Sequence, residues 1–276
     1  MPTLVHLSDI HFGPPQVPAH VAAVERRLRE KRWDVVAISG DFTQRNFRGQ
    51  FRQAKAFVDL ARASAPTVVI PGNHDVAWWW SVGGLGPRGM MYRGYRKWIS
   101  ADLDPVLHAP GVTVASINTS HGIQWHTLTN RPRDLSVVGA VLPAQWAGAG
   151  NALSSAPPGD LKVLMLHHNL LAGNLSRRWG LTARANGIDA AIATGCDVVL
   201  CGHDHEAQVE QVEQVERGGR RMVVSQVNTI SNRARGGLPA SFHEISWDAA
   251  QVTVRRQEWD AATGDFVDAR SWSFAR

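Results

Sequence analysis

The feature that most restricts the fold of this chain is a repeated pattern in which a short apolar run is followed directly by residues of the types that bind metal ions. The clearest run is Val198–Cys201, after which come Gly202 and two histidines, His203 and His205. A run of this length indicates a buried strand, and the glycine permits a tight turn. Histidines at i and i+2 in a turning segment can direct two ring nitrogens to one point, as metal sites require.

Four earlier apolar runs end in the same way, and amphipathic helix patterns over about 17–28 and 51–61 separate the first three. Strand, helix, strand, helix, strand implies right-handed crossovers and a parallel sheet. Ligand sites in such sheets lie outside the carboxyl ends of the strands, so we expect the groups after the runs to converge. These groups are Asp9 and His11, Asp41, Asn73 with His74 and Asp75, His167, and His203 with His205.

The chemistry of this set favours transition metals. Two carboxylates, one amide oxygen and four or five imidazoles suit Mn²⁺, iron (Fe²⁺ or Fe³⁺) or Zn²⁺ better than calcium or a magnesium-only site. The set also exceeds what one tetrahedral ion needs, so we predict two divalent ions.

The motifs are Asp-X-His, Gly-Asp, Gly-Asn-His-Asp, a histidine pair and Gly-His-X-His, spread in this order over residues 9–205. Together they resemble the calcineurin-like metallophosphoesterases. The resemblance implies an α/β fold, a four-layer αββα sandwich of two mixed β-sheets flanked by helices. Chain length and the opening His-Leu-Ser-Asp-Ile-His look most like the bacterial class III cyclic-nucleotide phosphodiesterase group.

The resemblance also implies roles for the strand-end residues. Asp41 would bridge two ions, His74 would stabilise or protonate the leaving oxygen, and Asp75 would orient His74. The family usually has proline where Asn169 stands, which leaves His167 and His168 open as the ligand, with His167 preferred because it directly follows the strand. The full expected ligand set is Asp9, His11, Asp41 and His205 for the first ion, and Asp41, Asn73, His167 and His203 for the second.

The expected activity is metal-dependent hydrolysis of a small-molecule phosphodiester, cyclic-nucleotide-like, by a hydroxide that bridges the two ions. An alternative substrate is a lipid-linked pyrophosphate such as a UDP-diacylglucosamine, with tryptophans covering an acyl chain. A different class of function is a non-catalytic scaffold or a nucleic-acid-binding module; such proteins would be expected to lose ligands, and none is missing.

A Trp/Arg-rich stretch at about 76–100 interrupts the pattern and is predicted to be a lid-like insertion within a single domain spanning 1–276. The stretch is interpreted either as a surface that binds substrate or as a local aromatic cluster with a structural role. A second candidate for the rim of the site, or alternatively a solvated loop, consists of Arg177, Arg178 and Trp179. The residues proposed to contact substrate are Trp78, Trp79, Arg88, His121 and His168.

The remaining expectations concern elements and partners. We predict strands at 137–142, 222–226, 243–247 and 252–257, with the last three completing a second, antiparallel sheet, and helices at 143–153 and 184–194. No apolar stretch is long enough for a membrane span, and no signal peptide precedes the first run, so a cytoplasmic location is expected. The net charge of +5 leaves nucleic acid open as a partner. The two cysteines are expected to be reduced.

Overall fold

The apolar runs form strands in two six-stranded sheets. The computed structural model describes residues 1–77, 88–123, 137–182, 184–214, 219–231 and 235–276. From edge to edge, the first sheet contains β12 (Asp265–Ala275), β11 (Gln251–Asp260), β10 (Ser241–Trp247), β1 (Thr3–Leu7), β2 (Val35–Ile38) and β3 (Thr67–Val69). The second contains β4 (Val106–Ala109), β5 (Val112–Ile117), β6 (Leu161–Leu166), β7 (Val198–Cys201), β9 (Arg220–Gln226) and β8 (Gln208–Gln214).

Helices cover the outer face of each sheet. The helices are α1 (Pro18–Glu30), α2 (Arg48–Ser64), α3 (Arg88–Met91), α4 (Arg93–Trp98), α5 (Pro143–Ser154) and α6 (Arg184–Ala193). Apolar side chains of α1 and α2 form one core with the first sheet, and those of α5 and α6 form another with the second. A third core, including Leu4, Val163 and Leu200, lies between the sheets. The predicted four-layer αββα sandwich is confirmed.

Burial on both faces explains why the central strands read as continuous apolar runs. In β1, Leu4 packs in the core between the sheets, whereas its neighbour Val5 packs in the helix-covered core. Strands buried in this way have no polar face to alternate with. The parallel arrangement of β1, β2 and β3 agrees with the prediction, and β5, β6, β7 and β9 are also parallel. Their carboxyl ends therefore share one edge of the sandwich.

Two sequence predictions were wrong in detail. The tail does not complete one antiparallel sheet. Strands β10, β11 and β12 extend the first sheet, with β10 antiparallel to β1 and each following strand antiparallel to the one before it, whereas β9 joins the second sheet parallel to β7. Residues 137–142 do not form a strand, since only Gly139 makes an isolated bridge, with Leu181. A Cβ at Gly139 would lie 2.3 Å from the His168 ring, so this segment is used to cover that side chain.

The stretch predicted as a lid is in part a core element. Residues 88–98 form α3 and α4, and Tyr95 of α4 is fully buried against Phe42, with a ring-centroid distance of 6.1 Å. Residues 78–87, which carry Trp78, Trp79 and Trp80, lie outside the described residues, so the lid itself stays a prediction. No helix in the described part of the chain is long and apolar enough to cross a bilayer.

Candidate metal centre

A first group of side chains converges where β1, β2 and β7 end. Nε2 of His11 lies 3.6 Å from Oδ1 of Asp9 and 3.6 Å from Oδ2 of Asp41. Nε2 of His205 lies 3.2 Å from Oδ1 of Asp9 and 3.0 Å from Nε2 of His11. Two carboxylates and two imidazoles thus surround one small volume and could hold a metal ion.

A second group lies directly beside the first. Oδ1 of Asn73, which begins a 3₁₀ turn, is 3.2 Å from Nε2 of His167 and 3.0 Å from Nδ1 of His203. The two imidazole nitrogens are 3.3 Å apart. Oδ2 of Asp41 lies 3.5 Å from Nε2 of His167, nearly the same distance that separates it from His11 in the first group. Asp41 therefore faces both groups.

Backbone N–H groups fix the orientation of both aspartates. His203 N–H donates to Oδ2 of Asp9 at 3.0 Å, and His74 N–H donates to Oδ1 of Asp41 at 2.8 Å. Each carboxylate keeps one oxygen for the cluster, and Oδ1 of Asp9 is buried without a hydrogen-bond partner among the described residues. A buried, unsatisfied carboxylate oxygen is costly unless a cation or a donor approaches it.

Close approach of the loops depends on the glycines that precede the ligands. A Cβ at Gly202 would lie 2.5 Å from Oδ2 of Asp9, and one at Gly72 would lie 2.1 Å from Oδ1 of Asp41. The sequence indicated a turn at Gly202, but the direct contact between glycine and carboxylate is visible only in the fold.

The backbone at the ligands is in the left-handed region, which is unusual for residues other than glycine. Seven such residues occur in the described parts of the chain, and five of them belong to the predicted ligand set. Strained backbone of this kind concentrates at functional sites. The five are Asp9, His11, Asp41, His203 and His205, with φ between 51° and 72°.

The electrostatics of the centre favour bound cations. Burial and the nearby Asp9 carboxylate raise the pKa of Asp41 well above its usual range. Burial also disfavours charge on Asp9, but the neighbouring His11 and His205 rings outweigh it and hold the pKa of Asp9 well below its usual range. The two carboxylates repel each other, so one is kept protonated unless positive charge lies between them. Divalent ions would supply that charge, and the donor set fits them.

The histidines offer lone pairs. Burial lowers the pKa of His11 to about 4, and it lowers the pKa of His167 and, with the help of His167, the pKa of His203. Neutral imidazoles are the form that binds metal. Nδ1 of His167 donates to the Ser39 carbonyl at 2.7 Å, because a carbonyl can only accept, and Nε2 is therefore left unprotonated toward the cluster.

The prediction that Asp75 orients His74 was wrong. Nδ1 of His74 donates to the Gln44 carbonyl at 2.8 Å, so Gln44 orients this ring rather than Asp75. The Asp75 carboxylate instead accepts from the backbone N–H groups of Phe42, Thr43 and Gly72 and from the Thr43 hydroxyl. Asp75 therefore ties the loop after β2 to the loop after β3. Burial raises the pKa of Asp75 to about 6.

His74 is neutral in this arrangement. Burial and the neighbouring His11 lower the pKa of His74 to about 3. The two rings meet edge to face, with centroids 4.8 Å apart. His74 lies beside the first group without being one of its four members.

His168 is not available to substrate, contrary to the prediction. The residue is 1% exposed, its Nε2 donates to the Val137 carbonyl at 3.0 Å, and its Nδ1 is 2.6 Å from the Thr119 hydroxyl. One ring nitrogen lies near those of His167 and His203, but both nitrogens are already engaged, so His168 is also the poorer ligand.

Of the other residues predicted to contact substrate, only His121 has a described side chain. His121 is buried, and its Nδ1 lies 3.3 Å from the Tyr92 hydroxyl. His121 is one of the neighbouring groups that lower the pKa of His168, after burial, His203 and His167, so it lies near the second group. Arg88 begins α3, but its side chain is outside the described structure, as are Trp78 and Trp79.

Comparisons with known proteins agree with this geometry. The profile of the calcineurin-like phosphoesterase family matches residues 2–207. No curated protein matches the sequence at a significant level. A purple acid phosphatase, PPD1 from yellow lupin (Lupinus luteus) seeds, superposes with a TM-score of 0.67 at 12% identity, over 100% of this chain and 54% of the phosphatase, so this chain spans about half its length. PhoD superposes with a TM-score of 0.66 at 12% identity, over 99% of this chain and 69% of PhoD. At such identities the likeness establishes the fold alone.

Proposed function

Because the chain belongs to the calcineurin-like phosphoesterase family, a family of metal-dependent phosphoester hydrolases, we propose that it is a phosphodiesterase with a centre for two divalent transition-metal ions. The observation that carries this proposal is the position of Asp41, whose Oδ2 lies 3.6 Å from His11 in one donor group and 3.5 Å from His167 in the other. A carboxylate between two neutral-imidazole groups suits a ligand shared by two cations.

The ligand assignment follows the two groups. Ions bound there would draw negative charge from the phosphoryl oxygens and lower the pKa of a coordinated water. His167 rather than His168 is proposed as the ligand. Nδ1 of His167 donates to the Ser39 carbonyl, which leaves the Nε2 lone pair directed at the donor group, whereas both ring nitrogens of His168 contact Thr119 and Val137. The proposed ligands are Asp9, His11, Asp41 and His205 for one ion, and Asp41, Asn73, His167 and His203 for the other.

His74 is proposed to act on the leaving oxygen. Since Nδ1 donates to the Gln44 carbonyl, Nε2 of the neutral ring carries a lone pair and must gain a proton before it can donate one. An anionic phosphoryl group beside the ring raises the pKa of a histidine, so substrate binding favours the protonated form. The Gln44 carbonyl also stabilises the imidazolium that results.

The preference for a diester, of the cyclic-nucleotide kind, is supported by the sequence resemblance to the class III group. The test is turnover of bis(p-nitrophenyl) phosphate and p-nitrophenyl phosphate by protein loaded with Mn²⁺, together with metal analysis. We expect about two ions per chain and a higher kcat/KM for the diester. Faster turnover of the monoester would contradict the diester assignment, and an absence of bound metal would contradict the whole proposal.

Asp41→Asn and Asp59→Asn form a matched pair for this test. The first removes a charge between the two donor groups, and we expect it to lose metal and turnover. The second removes the charge of an exposed carboxylate of α2, which pairs with Lys55 across one helical turn, and should behave as the wild type does.

A further inference from the structure

The loop over residues 169–180, called the 169–180 loop below, follows the His167–His168 pair and is held together by its own main-chain hydrogen bonds. Gly173 N–H donates to the Arg178 carbonyl at 3.1 Å, and Arg177 N–H donates to the Gly173 carbonyl at 2.8 Å. Gly180 N–H closes the loop on the Asn169 carbonyl at 3.2 Å. Such a set of internal bonds holds a loop in one conformation.

Asn169 stands at the position where the family usually has proline, and its side chain organises this loop. It is 1% exposed, and its Nδ2 donates to the carbonyls of Leu171 at 2.6 Å and Arg178 at 3.2 Å. A Cβ at Gly180 would lie 2.5 Å from the Asn169 backbone nitrogen, so the two ends of the loop are in direct contact. Proline has no amide group to make these bonds.

Two buried carboxylates attach the loop to the metal centre. Asp204 and Glu206 alternate with the proposed ligands His203 and His205, and they are 2% and 3% exposed. Ser176 Oγ donates to Asp204 at 2.6 Å. Leu175 N–H donates to both oxygens of Glu206, at 3.2 and 3.0 Å.

The packing at this attachment is close. A Cβ at Gly173 would lie 1.9 Å from Oδ2 of Asp204. The same four-residue segment, 203–206, therefore faces the metal centre with its histidines and the 169–180 loop with its carboxylates, so the loop lies directly beside the segment that carries two proposed ligands.

Arg177 and Arg178 are the cationic residues of this loop. Both are exposed, and within the described structure neither guanidinium has a hydrogen-bond or ion-pair partner. Arg177 has φ 52°, a left-handed conformation that costs about 1–2 kcal/mol for a residue with a side chain. Glycine or asparagine would occupy this position at lower cost.

We propose that the 169–180 loop binds a second anionic group of the substrate, a phosphate beyond the scissile one, through Arg177 and Arg178, and that Asn169 is the residue that positions them. Guanidinium groups bind phosphate through paired charge-assisted hydrogen bonds, and a fixed loop reduces the entropy that binding must overcome. The proposal rests on the phosphodiesterase function, because it concerns the same substrate.

The test uses two substrates with the same scissile bond, the p-nitrophenyl ester of thymidine 5′-phosphate with and without a 3′-phosphate. For Mn²⁺-loaded wild type we expect kcat/KM to be about tenfold higher with the 3′-phosphate. Arg177→Gly, which removes the cation but suits the backbone, and Arg178→Ala should bring the ratio close to one. Asn169→Asp, which keeps the side-chain size but removes the amide donor, should lower the ratio with both arginines in place.

Arg29→Ala is the matched control, since Arg29 is an arginine of α1 whose side chain is 59% exposed, and this variant should keep the wild-type ratio. Calorimetric binding of thymidine 3′,5′-bisphosphate and thymidine 5′-monophosphate gives a readout without turnover. Equal affinities and equal kcat/KM in the wild type, or an unchanged ratio in the Arg177 and Arg178 variants, would overturn the anion site while leaving the phosphodiesterase intact. Arginine-dependent preference for the bisphosphate without turnover of either ester would refute the phosphodiesterase and keep the anion site.

Discussion

Replacement of Gly72 by alanine should damage the metal centre without removing any ligand. The new Cβ would lie 2.1 Å from Oδ1 of Asp41 and 2.3 Å from its backbone nitrogen, whereas real contacts of this kind are not shorter than 3.0 Å. Asp41 must therefore move by about 1 Å, and because the backbone is contacted, a change of rotamer cannot relieve the clash. We expect a loss of stability of about 1–3 kcal/mol from overpacking.

The effect on function should be larger than the effect on stability. Asp41 faces both donor groups, so a shift of about 1 Å affects both, and misplacement of this size lowers kcat/KM by about 100-fold. Metal content and diester turnover of Gly72→Ala are compared with those of Gly148→Ala in α5, where, in the described structure, the new Cβ would meet nothing within 4 Å beyond the backbone of its own helix. The control should gain about 0.5–1 kcal/mol from higher helix propensity. Wild-type metal content and turnover in Gly72→Ala would refute the assigned role of Asp41.

Three further predictions follow from buried groups elsewhere. Burial, His6 and Arg256 lower the pKa of His243 well below its usual range, and the Ser225 hydroxyl lies 2.8 Å from its Nδ1. Below about pH 6.5 the imidazole is therefore protonated in the unfolded chain but not in the folded protein. Stability measured in denaturant should therefore fall with falling pH by up to about 1.4 kcal/mol per unit, and His243→Gln should reduce that slope; an unchanged slope would contradict it. Asp75→Asn should cost about 2 kcal/mol or more, because an amide group would face N–H donors, and a denaturation midpoint equal to that of the wild type would count against this. Burial raises the pKa of Cys196 and of Cys201 to about 12, so neither thiol should react with Ellman's reagent in native protein, while both should react on unfolding.

The convergence of the site could be predicted because it depends on one rule of topology. Side chains that directly follow parallel strands lie at the same edge of the sheet, so Asp9, Asp41 and His167 had to approach one another once the strands were recognised. The distinction between His167 and His168 could not be predicted in the same way. It depends on the Ser39 and Val137 carbonyls, and every residue carries a carbonyl, so the sequence contains no signal for which one will be used.

Asn169 illustrates the same limit from the other side. The sequence identified it as a departure from the family pattern, but its partners are the main-chain carbonyls of Leu171 and Arg178. The hydrogen bond that orients His74 is likewise accepted by a main-chain group, the Gln44 carbonyl. Side-chain ligands are encoded by residue type, whereas the groups that orient them are largely encoded by the path of the backbone.

The strained backbone at the ligands connects these two levels. The left-handed backbone conformation at Asp9, His11 and Asp41 costs about 1–2 kcal/mol per residue, so interactions with the surrounding structure must stabilise it. Asp9 N–H donates to the Gly40 carbonyl at 3.0 Å and His11 N–H to the Asp41 carbonyl at 2.9 Å, so the loops after β1 and β2 restrain each other through the ligand residues themselves. Each ligand is therefore both a donor to the cluster and a part of the frame that orients its neighbour. A ligand can be exchanged for another metal-binding residue type only if the replacement also tolerates positive φ, which favours asparagine or aspartate over glutamate at these positions.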